Sequence, residues 1–393
     1  MRKLYLHIGT EKTGTTSIQS FLNTNRVVLS DNGYHVLKCA GQENHRAIPS
    51  YCMADNYYDD FFLSQGLDNL EKKQQFRNEL REAFNEELGS LEDNIHSVII
   101  TSEHFHSRLG SVEAVEVFKD LISDHFSEIE IICYLKEQSS LASSRYTTGI
   151  RSGANIEFTA FLQNCSPDNP YYNYHSLLKR WSDVFSPDSL NVRIFSKDEF
   201  YNNNLIDDFC IAINEILLSF TNRKINIENE SFSNLGITIG RAINSIYHIG
   251  NRNSFINKDR KHVLQYVSQF FPGHENNIDI EQYRHIQTLF QESNQKVAQQ
   301  YFKNRDHLFP WNPLPLANSL IKEDQVTALA NIIDDFKSAP LIPKESIDLL
   351  RDSALLLEDI DLNKAYHLMK LAQKSRPKGR FINQKIEEYE KRL

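Results

Sequence analysis

Several features are scarce in this sequence, and each scarcity excludes a class of protein. The five cysteines form no C-x-x-C pair or Cys/His cluster, which argues for reduced thiols and against structural zinc. No apolar run approaches the length that spans a bilayer, and no signal-peptide core precedes the first apolar strand. Basic residues are fewer than acidic ones, 43 against 52, so the net charge of −9 argues against a general nucleic-acid binder. We therefore expect a cytoplasmic chain with no transmembrane segment and no nucleic-acid partner.

The remaining composition is that of an ordinary globular protein. Of 393 residues, 40% are hydrophobic and 24% are charged, which is enough apolar material for a large core. The length allows roughly two or three domains.

The first twenty residues carry the clearest local pattern. The apolar run at residues 4–8, ended by Gly9, predicts a buried parallel strand. A helix beginning near Thr15 is predicted from apolar residues at helical spacing, which are Ile18, Phe21 and Leu22. The loop between them is rich in Gly and Thr. A strand, a tight turn and a helix N-terminus direct backbone N–H groups and a positive dipole end to one point, so the segment predicts an anion-binding site.

The loop differs from the P-loop of nucleotide-binding proteins at one position. Gly9 and Gly14 keep the glycine spacing of G-x-x-x-x-G-K-[ST], but Thr15 stands where that motif has lysine. Lys12, the only lysine of the loop, lies two residues before Gly14. The arrangement Lys12-Thr13-Gly14-Thr15-Thr16 directly after the first strand resembles the 5′-phosphosulfate loop of the sulfotransferases. Those enzymes transfer a sulfuryl group from 3′-phosphoadenosine 5′-phosphosulfate (PAPS) and release 3′-phosphoadenosine 5′-phosphate (PAP).

The resemblance assigns donor-binding roles to the loop. It implies that Lys12 neutralises the charge that grows on the leaving oxygen. It also implies that the 5′-phosphosulfate is held by Lys12, Thr13, Gly14, Thr15, Thr16 and Ser17.

A second stretch resembles the 3′-phosphate motif of the same family. That motif has an arginine after a later strand and a serine eight positions on. Here Lys136 stands at the arginine position and Ser144 stands eight residues later. Lysine offers a point charge where arginine offers a planar fork, and Arg145 or Arg151 is a candidate to supply the missing fork. Taken alone, the stretch is also typical of a helix with a solvated basic face.

A third set of polar residues follows the predicted strand at residues 97–101. Open α/β sheets keep their chemistry at the carboxyl ends of the strands. The resemblance makes Glu103 the candidate general base that deprotonates the acceptor, with His106 or His104 orienting that acceptor. The alternative is that Ser102 caps a short helix and that Glu103 supports its first turn.

Strand and helix patterns alternate over the first 220 residues, which predicts an α/β fold with a P-loop-like parallel sheet flanked by helices. Further strands are predicted at residues 34–40, 129–135 and 190–195. Residues 41–66 carry many aromatic residues without a clear period, which is typical either of a substrate-cleft wall or of packing over a sheet edge. Beyond about residue 221 only helices are predicted, at 237–249, 260–271, 280–302 and 323–336. We expect an α/β core at 1–220, a helical cap at 221–340 and a helical hairpin at 341–393.

The last segment resembles a single tetratricopeptide repeat, with small residues and a proline at Ala365, Ala372 and Pro377. One such unit cannot form a solenoid. It is either a helical hairpin docked on the enzyme body or a surface for a protein partner or a second copy of the chain.

The sulfotransferase resemblance covers roughly residues 3–220 and is strongest to bacterial carbohydrate-directed members acting on cell-surface polysaccharides. It implies transfer from PAPS to a carbohydrate acceptor without an essential metal. Two alternatives stay open: a small-molecule kinase with a deviant P-loop that uses Mg²⁺ and ATP, and a non-catalytic partner-binding protein. Thr15 in place of lysine disfavours the first alternative, and the placement of Glu103 and Ser144 disfavours the second.

Overall fold

The structure is a computed structural model. It describes residues 2–223, 232–246, 264–265, 267–269, 271–273, 278–303, 305–311 and 347–393. The chain divides into two compact units. The first unit contains residues 1–141, 165–227 and 285–311, and the second contains residues 142–164, 228–284 and 312–393. The three-part division expected from the sequence stays a prediction, because much of its middle segment lies outside the described residues.

A five-stranded parallel sheet forms the centre of the first unit. In chain order its strands are β1 (Arg2–His7), β2 (Tyr34–Val36), β3 (Ser97–Thr101), β4 (Phe126–Leu135) and β5 (Leu190–Ile194). Their order across the sheet is β2-β3-β1-β4-β5, so β1 lies between β3 and β4. Helices flank this sheet, and the predicted fold class is confirmed.

The central strands are apolar because helices cover both faces of the sheet. Leu4, Leu6 and Ile8 are fully buried, and all five residues of β3 are buried. Parallel strands in this position show continuous apolar runs rather than alternation, which is the pattern that the sequence displays.

Most helices of the first unit surround the sheet. They are α1 (Thr15–Thr24), α2 (Arg26–Asp31), α3 (Ala47–Cys52), α4 (Asp60–Ser64), α5 (Leu70–Gly89), α6 (His104–Arg108), α7 (Val112–Ile122), α10 (Tyr174–Phe185), α11 (Leu205–Ile213) and α12 (Leu217–Phe220). The predicted apolar stripe of α1 is confirmed, since Ile18, Phe21 and Leu22 are buried in one core cluster with Phe209 of α11. Two further helices, α8 (Gln138–Arg151) and α14 (Ile280–Tyr301), each begin in one unit and end in the other.

The described part of the second unit is built from helices. These are the later part of α8, α9 (Phe158–Leu162), α13 (Asn234–Ile246), α15 (Ile347–Leu357), α16 (Leu362–Ser375) and α17 (Arg380–Arg392). Ala365 and Ala372 are fully buried, as expected where two helices pack closely at small residues. The third helix, α17, follows Pro377 and was not part of the predicted hairpin. The tetratricopeptide-like character of the segment stays a prediction.

Some predicted elements differ from those observed. The strand predicted at residues 34–40 ends at Val36, although the Leu37 amide still donates to the Ile99 carbonyl at 3.2 Å. Residues 41–66 contain the short helices α3 and α4. The helix predicted at 323–336 lies outside the described residues, as does most of the one predicted at 260–271. Within the described residues, none of the helices combines the length and the apolar character needed to cross a membrane.

Candidate functional site

Three segments leave neighbouring strands at the carboxyl edge of the sheet. The first follows β1 and leads into α1, the second follows β3 and leads into α6, and the third follows β4 and leads into α8. Because β3, β1 and β4 are adjacent, the sheet brings together residues that are about a hundred positions apart in the sequence. This is the edge at which open α/β sheets bind ligands.

The loop after β1 is fixed by hydrogen bonds to β4. The Gly9 carbonyl accepts from the Tyr134 amide at 2.7 Å, and the Thr10 amide donates to the Tyr134 carbonyl at 3.0 Å. The Thr13 hydroxyl donates to the Thr10 carbonyl at 2.6 Å. Lys12 has a φ of 65°, in the left-handed region, so the loop turns sharply at this residue. The loop therefore has a defined backbone conformation.

The loop ends at the N-terminus of α1, which is open to an anion. Gly14 precedes the helix with a φ of 69°, and a Cβ at this position would lie 2.3 Å from Leu205 Cδ2. The left-handed φ favours glycine here, and a Cβ would in addition require the Leu205 side chain to move. No side chain caps the helix, and its first turn contains no acidic residue. The N–H groups of this turn and the positive end of the helix dipole are therefore suited to a negatively charged ligand.

Lys136 approaches this loop from the end of β4. Its Nζ lies 5.6 Å from the centroid of the Phe195 ring. The same ring borders Gly14, because a Cβ there would lie 3.3 Å from Phe195 Cε2. Burial and, to a smaller extent, the positive charge of Lys12 together lower the pKa of Lys136 to about 8. Two cations that repel each other at a helix N-terminus favour a ligand with more than one negative charge.

Glu103 lies directly beside the start of the loop. A Cβ at Gly9, which has a φ of 93°, would lie 3.1 Å from the Glu103 Cα. The Glu103 Oε2 accepts from Gln19 Nε2 at 2.7 Å and from Asn44 Nδ2 at 3.0 Å. Its Oε1 lies 3.9 Å from His104 Nε2. Two donors thus fix one carboxylate oxygen, and the other is directed toward a histidine.

His104 is the histidine next to this carboxylate. Burial lowers the pKa of His104, the charge of Arg46 lowers it further, and the opposite effects of Glu103 and Glu11 are smaller. The imidazole is therefore neutral at physiological pH, and a neutral ring can accept a proton or donate a hydrogen bond.

His106 binds to backbone groups on both sides of its ring. Its Nδ1 accepts from the Glu11 amide at 3.3 Å, so its Nε2 donates to the Tyr171 carbonyl at 2.9 Å. The Tyr171 hydroxyl in turn donates to Glu11 Oε2 at 2.8 Å. These three residues connect the loop to α6 and to the segment before α10. Through these contacts His106 fixes the loop. The role of His106 in orienting the acceptor stays a prediction.

The remaining residues of the second motif lie further along α8. Glu137 begins this helix by accepting from the Ser139 and Ser140 amides, at 3.0 and 2.9 Å. The residues predicted to help hold the 3′-phosphate belong to the second unit, and they are Ser144, Arg145 and Arg151. Their donor-binding roles stay predictions.

Four residues of this site were missed by the sequence reasoning: Glu11, Gln19, Asn44 and Tyr171. Gln19 had a recognisable signal, because it is a polar residue on the buried face of α1. The other three occupy loops. Glu11 directly precedes Lys12, but no spacing relates Asn44 and Tyr171 to Glu103 or Lys12. Among the residues that the structure describes, no group of three or more His, Cys, Asp or Glu side chains is arranged to hold a metal ion.

Comparisons with known proteins give distant similarities. No protein-family profile matches the chain. A protein of Archaeoglobus fulgidus described as uncharacterized is 26% identical over 220 residues, which cover 53% of this chain and 55% of that protein. The chain thus spans about half the length of the curated relative it matches. A crystal structure of a sulfotransferase from Alicyclobacillus acidocaldarius matches 72% of this chain and 99% of its own, with a TM-score of 0.38 and 14% identity. The case for an activity therefore rests on the site itself.

Proposed function

We propose that the chain is a sulfotransferase that moves a sulfuryl group from PAPS to a hydroxyl or amino group of a carbohydrate acceptor, a cell-surface polysaccharide or its precursor. The observation that carries the proposal is the N-terminus of α1, which has no side-chain cap, follows the loop that carries Lys12 and borders the Phe195 ring, whose centroid lies 5.6 Å from Lys136 Nζ. This arrangement suits a ligand with several negative charges. Thr15 at the P-loop lysine position disfavours the kinase alternative.

The donor is held by the loop and by the two lysines. When bound, PAPS supplies an activated sulfuryl group on its 5′-phosphate. Backbone and hydroxyl donors for the 5′-phosphosulfate come from Thr13, Gly14, Thr15, Thr16 and Ser17. Lys136 lies near this loop and contributes charge for the donor phosphates. In the proposal Ser144, Arg145 and Arg151 assist at the 3′-phosphate, as the sequence predicts.

The transfer needs a base and a group that stabilises the leaving oxygen. Glu103 takes the proton of the acceptor hydroxyl as the acceptor oxygen forms its bond to sulfur. The bond between sulfur and the phosphate oxygen breaks, and Lys12 stabilises the negative charge that develops on that oxygen. Gln19 and Asn44 hold the carboxylate in place, so little reorganisation is needed during the step. His106 fixes the loop that carries Lys12.

A thermal-shift experiment tests the donor assignment. A ligand that binds only the native state at a hundred times its Kd stabilises that state by about 2.7 kcal/mol. We expect metal-free PAP or PAPS to raise the Tm of the full chain and Mg-ATP to have a smaller effect. The shift with PAP should be lost in Lys12→Ala and kept in Lys38→Ala, a control at an exposed lysine after β2. Stronger stabilisation by Mg-ATP would contradict the proposal and favour the kinase.

A further inference from the structure

A groove of about 710 Å³ lies in the first unit, separate from the residues assigned to the donor. One side is the segment 51–57, which contains the end of α3, and the other is the segment 108–117, which enters α7. Its volume is within the range of about 300–1,000 Å³ that is usual for ligand pockets. The groove is therefore large enough for a ligand of several rings.

Two cationic side chains of α5 hold the 51–57 side of the groove. Lys73 is fully buried and its Nζ donates to the carbonyls of Ala54 at 2.5 Å and Tyr57 at 2.8 Å. Arg77 Nε donates to the Tyr51 carbonyl at 2.9 Å, and its Nη1 pairs with Asp55 at 2.5 Å. Hydrogen bonds from the buried Lys73 and the half-buried Arg77 restrict the backbone of this wall. Preorganisation of this kind lowers the entropic cost of binding.

One lining residue of the groove lies on α6, the helix that follows the candidate base. Arg108 lines the groove and ends this helix, which begins directly after Glu103. Five residues at 1.5 Å each place the two backbones about 7.5 Å apart along the helix. The charge of Arg108 also contributes to the lowered pKa of His104, so it acts within electrostatic reach of the Glu103–His104 pair.

The lining combines apolar surface with hydrogen-bonding groups and has no net charge. The Tyr57 side chain is 53% exposed and Val117 is 38% exposed. Asn56, Ser111 and Glu113 add polar atoms to the lining. The two arginines of the lining, Arg77 and Arg108, are balanced by two acidic residues, Asp55 and Glu113. A sugar ring is complementary to this surface. Its C–H face can pack on an aromatic ring such as that of Tyr57, and its hydroxyls can form hydrogen bonds with the polar groups of the lining.

We propose that this groove binds a neutral oligosaccharide segment of the acceptor, next to the sugar that is sulfated at Glu103. The inference rests on the proposed function and deepens it, since it specifies a chain of sugars without carboxylate or sulfate groups at this subsite. The substrate is then an oligosaccharide or polysaccharide rather than a monosaccharide or another small molecule.

The test is binding of the full-length chain to an array of neutral and anionic glycans of one to eight residues. Wild type is compared with Tyr57→Ala and Val117→Lys, which alter opposite sides of the groove. Lys73 binds the backbone oxygen of Tyr57, so alanine keeps the contact that fixes the wall. Tyr201→Ala is the matched control, because Tyr201 is 47% exposed and does not line the groove. PAP affinity is measured by calorimetry for every variant.

We expect wild type to bind neutral glycans of two or more residues, with a loss of at least fivefold in each groove variant and no change in Tyr201→Ala. The inference is overturned if wild type binds no glycan, if it prefers anionic glycans, or if both groove variants bind as wild type does. PAP binding distinguishes this failure from failure of the proposed function. Retained PAP binding with a negative array rejects the groove alone, whereas glycan binding without PAP binding rejects the donor assignment.

Discussion

The lowered pKa of Lys136 predicts that the affinity for PAP depends on pH. Burial and the nearby charge of Lys12 bring this pKa to about 8 in the free protein. A phosphate beside the ammonium group favours its charged form, so the complex keeps the proton to higher pH than the free protein does. If the chain binds PAP as proposed, PAP should bind the protonated form more tightly, and its affinity should fall as the pH rises through 8.

The size of the effect follows from the protonated fraction. With a pKa of about 8, this fraction falls from about three quarters at pH 7.5 to about one tenth at pH 9. PAP affinity should therefore fall about eightfold over this interval, as long as the complex holds its proton. The phosphate groups do not contribute, because their second pKa of about 6 leaves them ionised throughout.

Calorimetric titration of PAP at pH 7.5 and pH 9 measures the effect, with uptake of a proton at the higher pH as a second signal. Lys136→Arg is the matched control, because a guanidinium stays charged and should give nearly equal affinities at the two values of pH. Lys136→Gln should bind PAP more weakly at both. The reasoning is refuted if wild type binds PAP equally at pH 7.5 and 9, or if Lys136→Arg shows the same eightfold loss.

Three other substitutions test separate parts of the site and fold. Glu103→Gln should reduce turnover by about two to four orders of magnitude and leave PAP affinity nearly unchanged. Turnover is followed as PAP released from PAPS. Activity within a few-fold of wild type would move the base role to a histidine. Tyr171→Phe removes the hydroxyl bound to Glu11, and a bond to a charged group contributes about 1.5–3 kcal/mol, so both the Tm and PAP affinity should fall. Unchanged values of both would show that the Tyr171–Glu11 bond does not hold the loop. Asp59→Asn should lower stability at neutral pH by about 3–5 kcal/mol, because the 8% exposed carboxylate lies between Arg46 and Arg108. Burial raises the Asp59 pKa, but the bond from Arg108 and the charge of Arg46 lower it overall. This stabilisation is therefore full above the unfolded pKa of about 3.9 and is lost as the pH falls toward the lower folded value, which a Tm series across pH measures.

The segment around Lys12 was predictable because its signals are local. An apolar run, two glycines and an apolar stripe at helical spacing lie within about twenty residues, and they determine β1, the loop and α1. Glu103 was placed at the correct edge by a general rule, since parallel strands carry their polar residues at their carboxyl ends. Lys136 was singled out by the resemblance to the 3′-phosphate motif, and its place directly after β4 brings it within electrostatic reach of Lys12.

The partners of Glu103 and the groove were not predictable in the same way. Gln19 and Asn44 reach one carboxylate oxygen from a helix and from a loop, and this meeting depends on how the segments pack. The 41–66 segment shows no period because tertiary contacts hold it in place. Lys73 and Arg77 bind its carbonyls from α5, and such contacts leave no pattern in the segment itself.

A crystal structure of the full chain with PAP tests the central claim most directly. The 5′-phosphate should lie at the N-terminus of α1, within hydrogen-bond distance of the backbone amides of residues 13–17, with Lys12 Nζ beside it and Lys136 Nζ close to a PAP phosphate. PAP bound elsewhere on the chain, or at this helix with both lysines directed away from its phosphates, would contradict the account.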